Sequence, residues 1–219
     1  QTRKGSNIEE RFREYGVTSR DVQVLFSGLV SANKPWKQYY TRVSGVISPH
    51  NVDANVAAMS ELIDASFTPP NHAFLFTDEM PTTGEDAEII TIDWGAVMYN
   101  SRFVYDVDSN QYFRYMLQKN DEEVAYEDKY TQEQLAFSNL IVQHTTVTWN
   151  GSSDAPVTVH IGEGNADIFM GGKYIAGYWK RADANSRTVF YDAEGNEIAL
   201  QRGKTFISII PAETTVSYE

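Results

Sequence analysis

The order of apolar and polar residues changes its period about a third of the way along the chain. Apolar residues recur at helical spacing in three stretches, which begin near Ser6, Thr18 and Asp53. Each stretch opens on a residue type that caps helices, and Pro69-Pro70 blocks any continuation of the third stretch. This pattern predicts a helical N-terminal part that spans residues 1–72.

From about Ala73 the apolar residues alternate with polar ones, which is typical of strands with one buried face. The segments "SRFVYDV" and "QYFRYML" flank a turn-like "DSN" and predict a hairpin. Gly171-Gly172 separates "NADIFM" from "KYIAGYW" and predicts a two-residue turn with positive φ. The predicted fold class is α+β, with a mostly antiparallel β-rich domain over residues 73–219.

The composition excludes several classes of function. The chain of 219 residues carries a net charge of −12, which disfavours binding to nucleic acid. It contains no cysteine, so disulfides, thiolate catalysis and zinc–cysteine sites are excluded. No apolar run is long enough to span a bilayer. The chain begins with Gln1, so we expect that a targeting segment precedes it in a longer protein.

Six segments together resemble one known family. They are "YYTRVSGVISPHN", "FVYDVDSNQYFRY", "NLIVQ", "GEGNADIFMGGKYIAGYWKR", "TVFYDAEGNEIAL" and "RGKTFISIIP", which span roughly Tyr39 to Pro211. In this order they resemble the YerB-type lipoproteins of bacteria, a family of unknown function. Phe206 stands where the family usually has Trp. An ordered set of this kind is far more specific than any one of its motifs.

The resemblance implies a location and a kind of partner. It implies an extracytoplasmic protein attached to the outer face of the bacterial membrane by a lipid anchor that this chain lacks. It also implies an upstream segment, absent here, that would pack on the helical part as a partner. We expect a cell-wall component or another envelope protein as the ligand, and we expect no cofactor.

Arg42, His50 and Asn51 form the most site-like group in the sequence. The family segment places an Arg a short spacer before Pro-His-Asn, and a loop His can act as an acid or base near neutral pH. An Arg can bind a carboxylate or phosphate with two parallel hydrogen bonds. The structural alternative is that Asn51 or Asp53 caps the next helix while His50 bonds to backbone in the loop.

A second candidate site is the run Tyr178, Trp179, Lys180 and Arg181, which could form an aromatic and cationic platform for a sugar. The structural alternative is that these residues alternate between core and rim. The many carboxylates include no pair whose placement the sequence reveals, and a glycosidase needs two across one bond. His72 and His144 stand alone without metal-ligand spacing, and no metal site is predicted.

These observations favour a non-catalytic binding module of the bacterial envelope. The alternative is a hydrolase or transferase that acts on envelope carbohydrate or peptide and uses His50 with a carboxylate. The two are distinguished by whether Arg42, His50 and an acidic side chain converge in one cleft.

Overall fold

The computed structural model describes residues 38–47, 50–61, 65, 73–95, 100–118, 122–149 and 156–219. The chain divides into two compact units, Gln1–Asn71 and His72–Glu219. Within the described residues the protein consists mainly of β-strands.

The described part of the first unit is a short hairpin followed by one helical turn. Strand β1 (Tyr40–Arg42) pairs antiparallel with β2 (Val52–Ala54). Helix α1 (Val56–Ser60) follows directly, and Asn55 caps it by accepting a hydrogen bond from the backbone N–H of Ala58 at 3.0 Å. Asn is among the preferred capping residues, because its side-chain oxygen satisfies an amide that has no partner within the helix.

The predicted helical N-terminal part is wrong for the residues that the structure describes. Val52–Ala54 forms a strand where the third helix was expected to begin, and α1 has five residues. Val56, which the helical spacing placed on a buried face, is 70% exposed. Pairing with β1 overrides the local apolar spacing, so the fold class in the described ranges is β-rich and contains one short helix. The helices predicted from Ser6 and Thr18 lie outside the described residues.

The second unit consists of strands from residue 76 to residue 218. In chain order they are β3 (Phe76–Thr77), β4 (Glu85–Asp86), β5 (Ile89–Asp93), β6 (Ser101–Asp106), β7 (Gln111–Leu117), β8 (Glu123–Ala125), β9 (Ala136–Phe137), β10 (Asn139–Thr145), β11 (Val147–Trp149), β12 (Pro156–Thr158), β13 (Gly162–Met170), β14 (Lys173–Arg181), β15 (Val189–Asp192), β16 (Leu200–Gln201), β17 (Thr205–Pro211) and β18 (Thr215–Tyr218).

Most of these strands belong to two six-stranded sheets. Sheet I has the order β15-β14-β13-β10-β17, with β4 beside β14. Sheet II has the order β18-β5-β6-β7-β8, with β9 beside β7. The pairings are antiparallel except for β10 with β17 and β3 with β16, which are parallel. A parallel pair needs a long connection, and the chain builds β11 to β16 between β10 and β17.

The predicted hairpins are confirmed. Strands β6 and β7 pair from Ser101 opposite Met116 to Asp106 opposite Gln111. Strands β13 and β14 meet at a turn in which Gly171 and Gly172 have φ of 59° and 71°. A Cβ atom on Gly172 would lie 2.8 Å from Cε1 of Tyr105, so the turn needs glycine for space as well as for conformation.

Two apolar clusters cover the two faces of sheet I. The first lies between the sheets and combines Leu140, Val142, Phe169 and Ile210 of sheet I with Ile90, Ile92, Phe103 and Tyr112 of sheet II. The second lies on the opposite face and contains Ile141, Ala166, Ile168, Met170, Trp179, Phe190, Ile198 and Leu200. Sheet I is therefore the buried central layer of this unit, as its long apolar runs require.

Candidate functional site

A pocket of about 540 Å³ lies where β10 ends and β13 begins. One side is formed by these two strands, and the other by the segment that leads from β17 into β18. The residues that line the pocket are His144, Thr145, Thr146, Glu163, Gly164, Asn165, Asp167, Ala212, Thr214, Thr215 and Val216. Most of these side chains can form hydrogen bonds, so the pocket is suited to a polar molecule.

The pocket continues the face of sheet I that packs against sheet II. On β10 the side chains of Leu140 and Val142 enter the core between the sheets, and His144 is the next residue on that face. On β13 Phe169 enters the same core, and Asp167 precedes it on that face. At this end of the strands, polar side chains therefore take the positions that apolar side chains hold further along.

His144, Asp167 and Tyr174 form a hydrogen-bonded network at the wall of the pocket. The Nε2 atom of His144 lies 2.7 Å from Oδ2 of Asp167, and the hydroxyl of Tyr174 donates to Oδ1 of Asp167 at 3.0 Å. The side chains of His144 and Asp167 are only 16% and 19% exposed. When Nε2–H of a neutral His144 ring donates to Asp167, the other ring nitrogen, Nδ1, is a hydrogen-bond acceptor.

A second tyrosine supports this network. The rings of Tyr174 and Tyr218 stack with their centroids 4.3 Å apart, and the hydroxyl of Tyr218 donates to Glu85 at 3.1 Å. Burial, and then the charge of Asp167, raises the pKa of Tyr174 above its usual value. Tyr174 therefore stays protonated at neutral pH and remains a hydrogen-bond donor to Asp167.

Gly164 and Trp179 fix the backbone beneath the pocket. The indole Nε1 of Trp179, which is 1% exposed, donates to the carbonyl oxygen of His144 at 2.7 Å. A Cβ atom on Gly164 would lie 2.6 Å from that oxygen and 2.7 Å from Nε1. The absence of a side chain at Gly164 is what allows the indole to reach the strand that carries His144.

The four residues of the predicted platform have four different environments. Trp179 lies in the core, and Arg181 donates to the carbonyl oxygens of Asp183 and Ala184. The ring of Tyr178 stacks on Tyr191 at 5.2 Å, and the amine of Lys180 lies 5.3 Å from the centre of the Tyr178 ring.

Lys180 also pairs with Glu163 at the pocket rim, at 3.1 Å, and this hydrogen bond and charge raise the pKa of Lys180. Of these four residues, only Tyr178 and Lys180 lie on the pocket-side face of β14, because side chains alternate between the two faces of a strand. A role for the run Tyr178–Arg181 in binding a ligand stays a prediction.

Arg42 and Asn51 of the first unit do meet. Nη1 of Arg42 donates to Oδ1 of Asn51 at 2.7 Å, across the β1–β2 hairpin. The backbone N–H of His50 donates to the carbonyl oxygen of Ile47 at 3.0 Å, and the side chain of His50 is exposed. The helix cap is Asn55, not Asn51 or Asp53. A functional role for His50 stays a prediction.

His144 and Asp167 were not predicted as a site from the sequence. In the sequence His144 stands alone, because Asp167 is 23 residues away and only the pairing of β10 with β13 brings them together. A signal was nevertheless present. Each residue interrupts an apolar alternation, after Leu140 and Val142 in one strand and before Phe169 in the other. A polar residue at an inward position of a strand needs a buried partner.

Within the described ranges, no group of three or more acidic or histidine side chains is placed to hold a metal ion. Helix α1 has five residues, and no helix among the described residues is long and apolar enough to cross a membrane.

Comparisons with known proteins give a family and a fold. Residues 90–207, more than half of the chain, match the family described as "Protein of unknown function (DUF3048) C-terminal domain". No curated protein matches the chain. The crystal structure of the YerB protein from Bacillus subtilis is similar, with a TM-score of 0.68 and 18% sequence identity, over 97% of this chain and 68% of that one. The chain therefore belongs to the DUF3048 family, of unknown function, and its β-rich fold is of the YerB type.

Proposed function

We propose that this protein is an extracytoplasmic protein of the bacterial envelope that binds a cell-wall component, without catalysis, in the pocket beside His144. The proposed location is supported by the motifs that resemble the YerB-type lipoproteins. The observation that carries the proposed binding role is the network of His144, Asp167 and Tyr174 at the pocket wall.

This network suits binding because its groups are held before any ligand arrives. Asp167 is bonded from two sides, and the carbonyl of His144 is bonded to Trp179. Both strands that carry the pocket lie inside sheet I, with neighbours on each side. Groups that are already ordered lose little conformational entropy when a ligand binds, so each hydrogen bond contributes more to affinity.

The alternative is a hydrolase or transferase that uses His50. It predicts that the protein cleaves or transfers envelope carbohydrate or peptide and that His50→Ala loses this activity.

Co-sedimentation with purified peptidoglycan tests the proposed function. Asn165 lines the pocket, and among the described residues its exposed side chain has no hydrogen-bond partner, so Asn165→Ala should leave the melting temperature unchanged. The loss of one hydrogen bond to the ligand should reduce the affinity about threefold to tenfold.

Asn185→Ala is the matched control, because Asn185 is exposed and does not line the pocket. The proposal fails if the unaltered protein does not sediment with peptidoglycan. It also fails if Asn165→Ala sediments as well as the control.

A further inference from the structure

The charges around the pocket restrict the ligand that it can hold. Three ionisable side chains line it, and they are His144, Glu163 and Asp167. No lysine or arginine is among the described residues of the lining. A carboxylate or phosphate group in this pocket would face two acidic side chains, and the nearby amine of Lys180 is already paired with one of them, Glu163. The lining therefore disfavours anionic ligands.

The acceptors in the lining are not all in use. An ionised carboxylate has about four acceptor positions. His144 and Tyr174 occupy one position on each oxygen of Asp167, which leaves further positions open. In the described part of the chain, Nδ1 of His144 has no hydrogen-bond partner, and in the neutral ring it is an acceptor when Nε2 donates to Asp167. A ligand that donates hydrogen bonds can use these open positions.

The pocket rim already holds a positively charged amine. Glu163 is 69% exposed and binds the amine of Lys180 at 3.1 Å. A lysine amine on a flexible stem can be displaced at an exposed site with little loss of stability. The net charge of −12 also attracts cations to the surface before they bind. The remaining lining groups are threonine hydroxyls and the amide of Asn165, which pair readily with the hydroxyls of a sugar.

We infer that the pocket binds a sugar with a protonated primary amine, that is, an amino sugar whose nitrogen is not acetylated. The amine bonds to the open acceptor positions of Asp167, Glu163 at the rim adds its negative charge, and the ring hydroxyls bond to Asn165 and the threonines. An ammonium group donates three hydrogen bonds and carries a positive charge, which both carboxylates attract. An acetamido group has neither the charge nor the three donors. This inference rests on the proposed function and specifies its ligand.

Three trisaccharides with one backbone test the inference by isothermal titration calorimetry. They are the β1,4-linked trimers of glucosamine, N-acetylglucosamine and glucose, which differ only at the C2 substituent. At a pH below the pKa of the amine, the glucosamine trimer should bind at least tenfold more tightly than the other two. Its affinity should also fall as the salt concentration rises, because part of the interaction is between charges.

Isosteric variants assign the preference to the two carboxylates. Glu163→Gln and Asp167→Asn each remove one charge, and each should reduce the preference for the glucosamine trimer about threefold to tenfold. Glu213→Gln is the control, because it removes the same charge from the neighbouring loop at a residue that does not line the pocket. Because Asp167→Asn also weakens the network, Glu163→Gln, at an exposed residue, keeps the test valid if Asp167→Asn does not fold.

The outcomes separate this inference from the proposed function. Equal affinity for the three trimers, or a preference that survives both isosteric variants, overturns the inference even if the protein sediments with peptidoglycan through Asn165. Binding of Nα-acetyl-lysine as tightly as the glucosamine trimer also overturns it, because the amine would then be recognised without the sugar. A protein that binds neither peptidoglycan nor any trimer contradicts the proposed function itself.

Discussion

Replacing Gly164 with alanine should damage both the fold and the pocket. The new Cβ atom would lie 2.6 Å from the carbonyl oxygen of His144 and 2.7 Å from Nε1 of Trp179. Folded proteins essentially never show such contacts under 3.0 Å, so both neighbours must move by some tenths of an ångström. That movement breaks the 2.7 Å hydrogen bond between them and leaves the indole N–H buried without an acceptor.

The size of the effect follows from three contributions. Overpacking of a rigid core costs about 1–3 kcal/mol, and an unsatisfied buried donor costs about 1–3 kcal/mol. Replacing glycine by alanine restricts the unfolded chain and offsets about 0.4–1 kcal/mol of this. The net loss of stability for Gly164→Ala should therefore lie within about 1–5 kcal/mol, centred near 3 kcal/mol. For a unit of this size, that corresponds to a fall in melting temperature of roughly 5–15 °C.

Urea denaturation followed by far-UV circular dichroism measures this loss. The partner variant is Trp179→Phe, which removes Nε1 and keeps an aromatic ring in the core. In the Trp179→Phe background, Gly164→Ala should cost at least about 1 kcal/mol less than it does alone, because one of its two clashes is gone. Additive losses, or a Gly164→Ala protein as stable as the original, would refute the explanation that Gly164 is there to admit the indole.

Three further predictions concern the fold around the site. Gly172→Val should destabilise the protein by about 2 kcal/mol or more in urea denaturation, since φ is 71° and the side chain meets Tyr105; an unchanged midpoint would contradict this. Asn139→Ala should cost about 2–4 kcal/mol, because the fully buried Asn139 bonds to both the N–H and the carbonyl of Gln201; the exposed Asn185→Ala is its control. In Tyr174→Phe, stability should fall less steeply with rising pH in the alkaline range than it does in the original protein. The folded pKa of Tyr174 is raised, so its contribution is present below about pH 10, the unfolded value, and is lost as the pH rises above it. A pH titration of the melting temperature with the same alkaline slope in both proteins would contradict this.

Local patterns were reliable wherever the deciding interaction lies within a few residues. The hairpin at Gly171-Gly172 was predictable, because a two-residue turn demands positive φ and glycine supplies it without strain. The hairpin of β6 and β7 was predictable for the same reason, since its two strands are neighbours in sequence. The error at Val52–Ala54 arose because helical spacing over a short stretch is weaker than pairing with a strand.

The candidate site depends on contacts that join distant parts of the chain. His144 and Asp167 are brought together by the register of β10 and β13, and Tyr174 joins them through the register of β13 and β14. The second wall of the pocket, which includes Thr215, follows the parallel pairing of β17 with β10. A one-residue change in any of these registers would turn the side chains to the opposite face.

The amino-acid order was enough to predict the β character of the chain from residue 73 onward, its hairpin turns, its acidic charge and its resemblance to one family. These properties are local or compositional, so they can be read without knowing which strands are neighbours. Which polar residues share a pocket became clear from the strand pairing alone. A strand pattern specifies which side chains face inward, but it does not specify which strand lies beside which. His144 therefore acquires its partner Asp167 only when β13 pairs with β10.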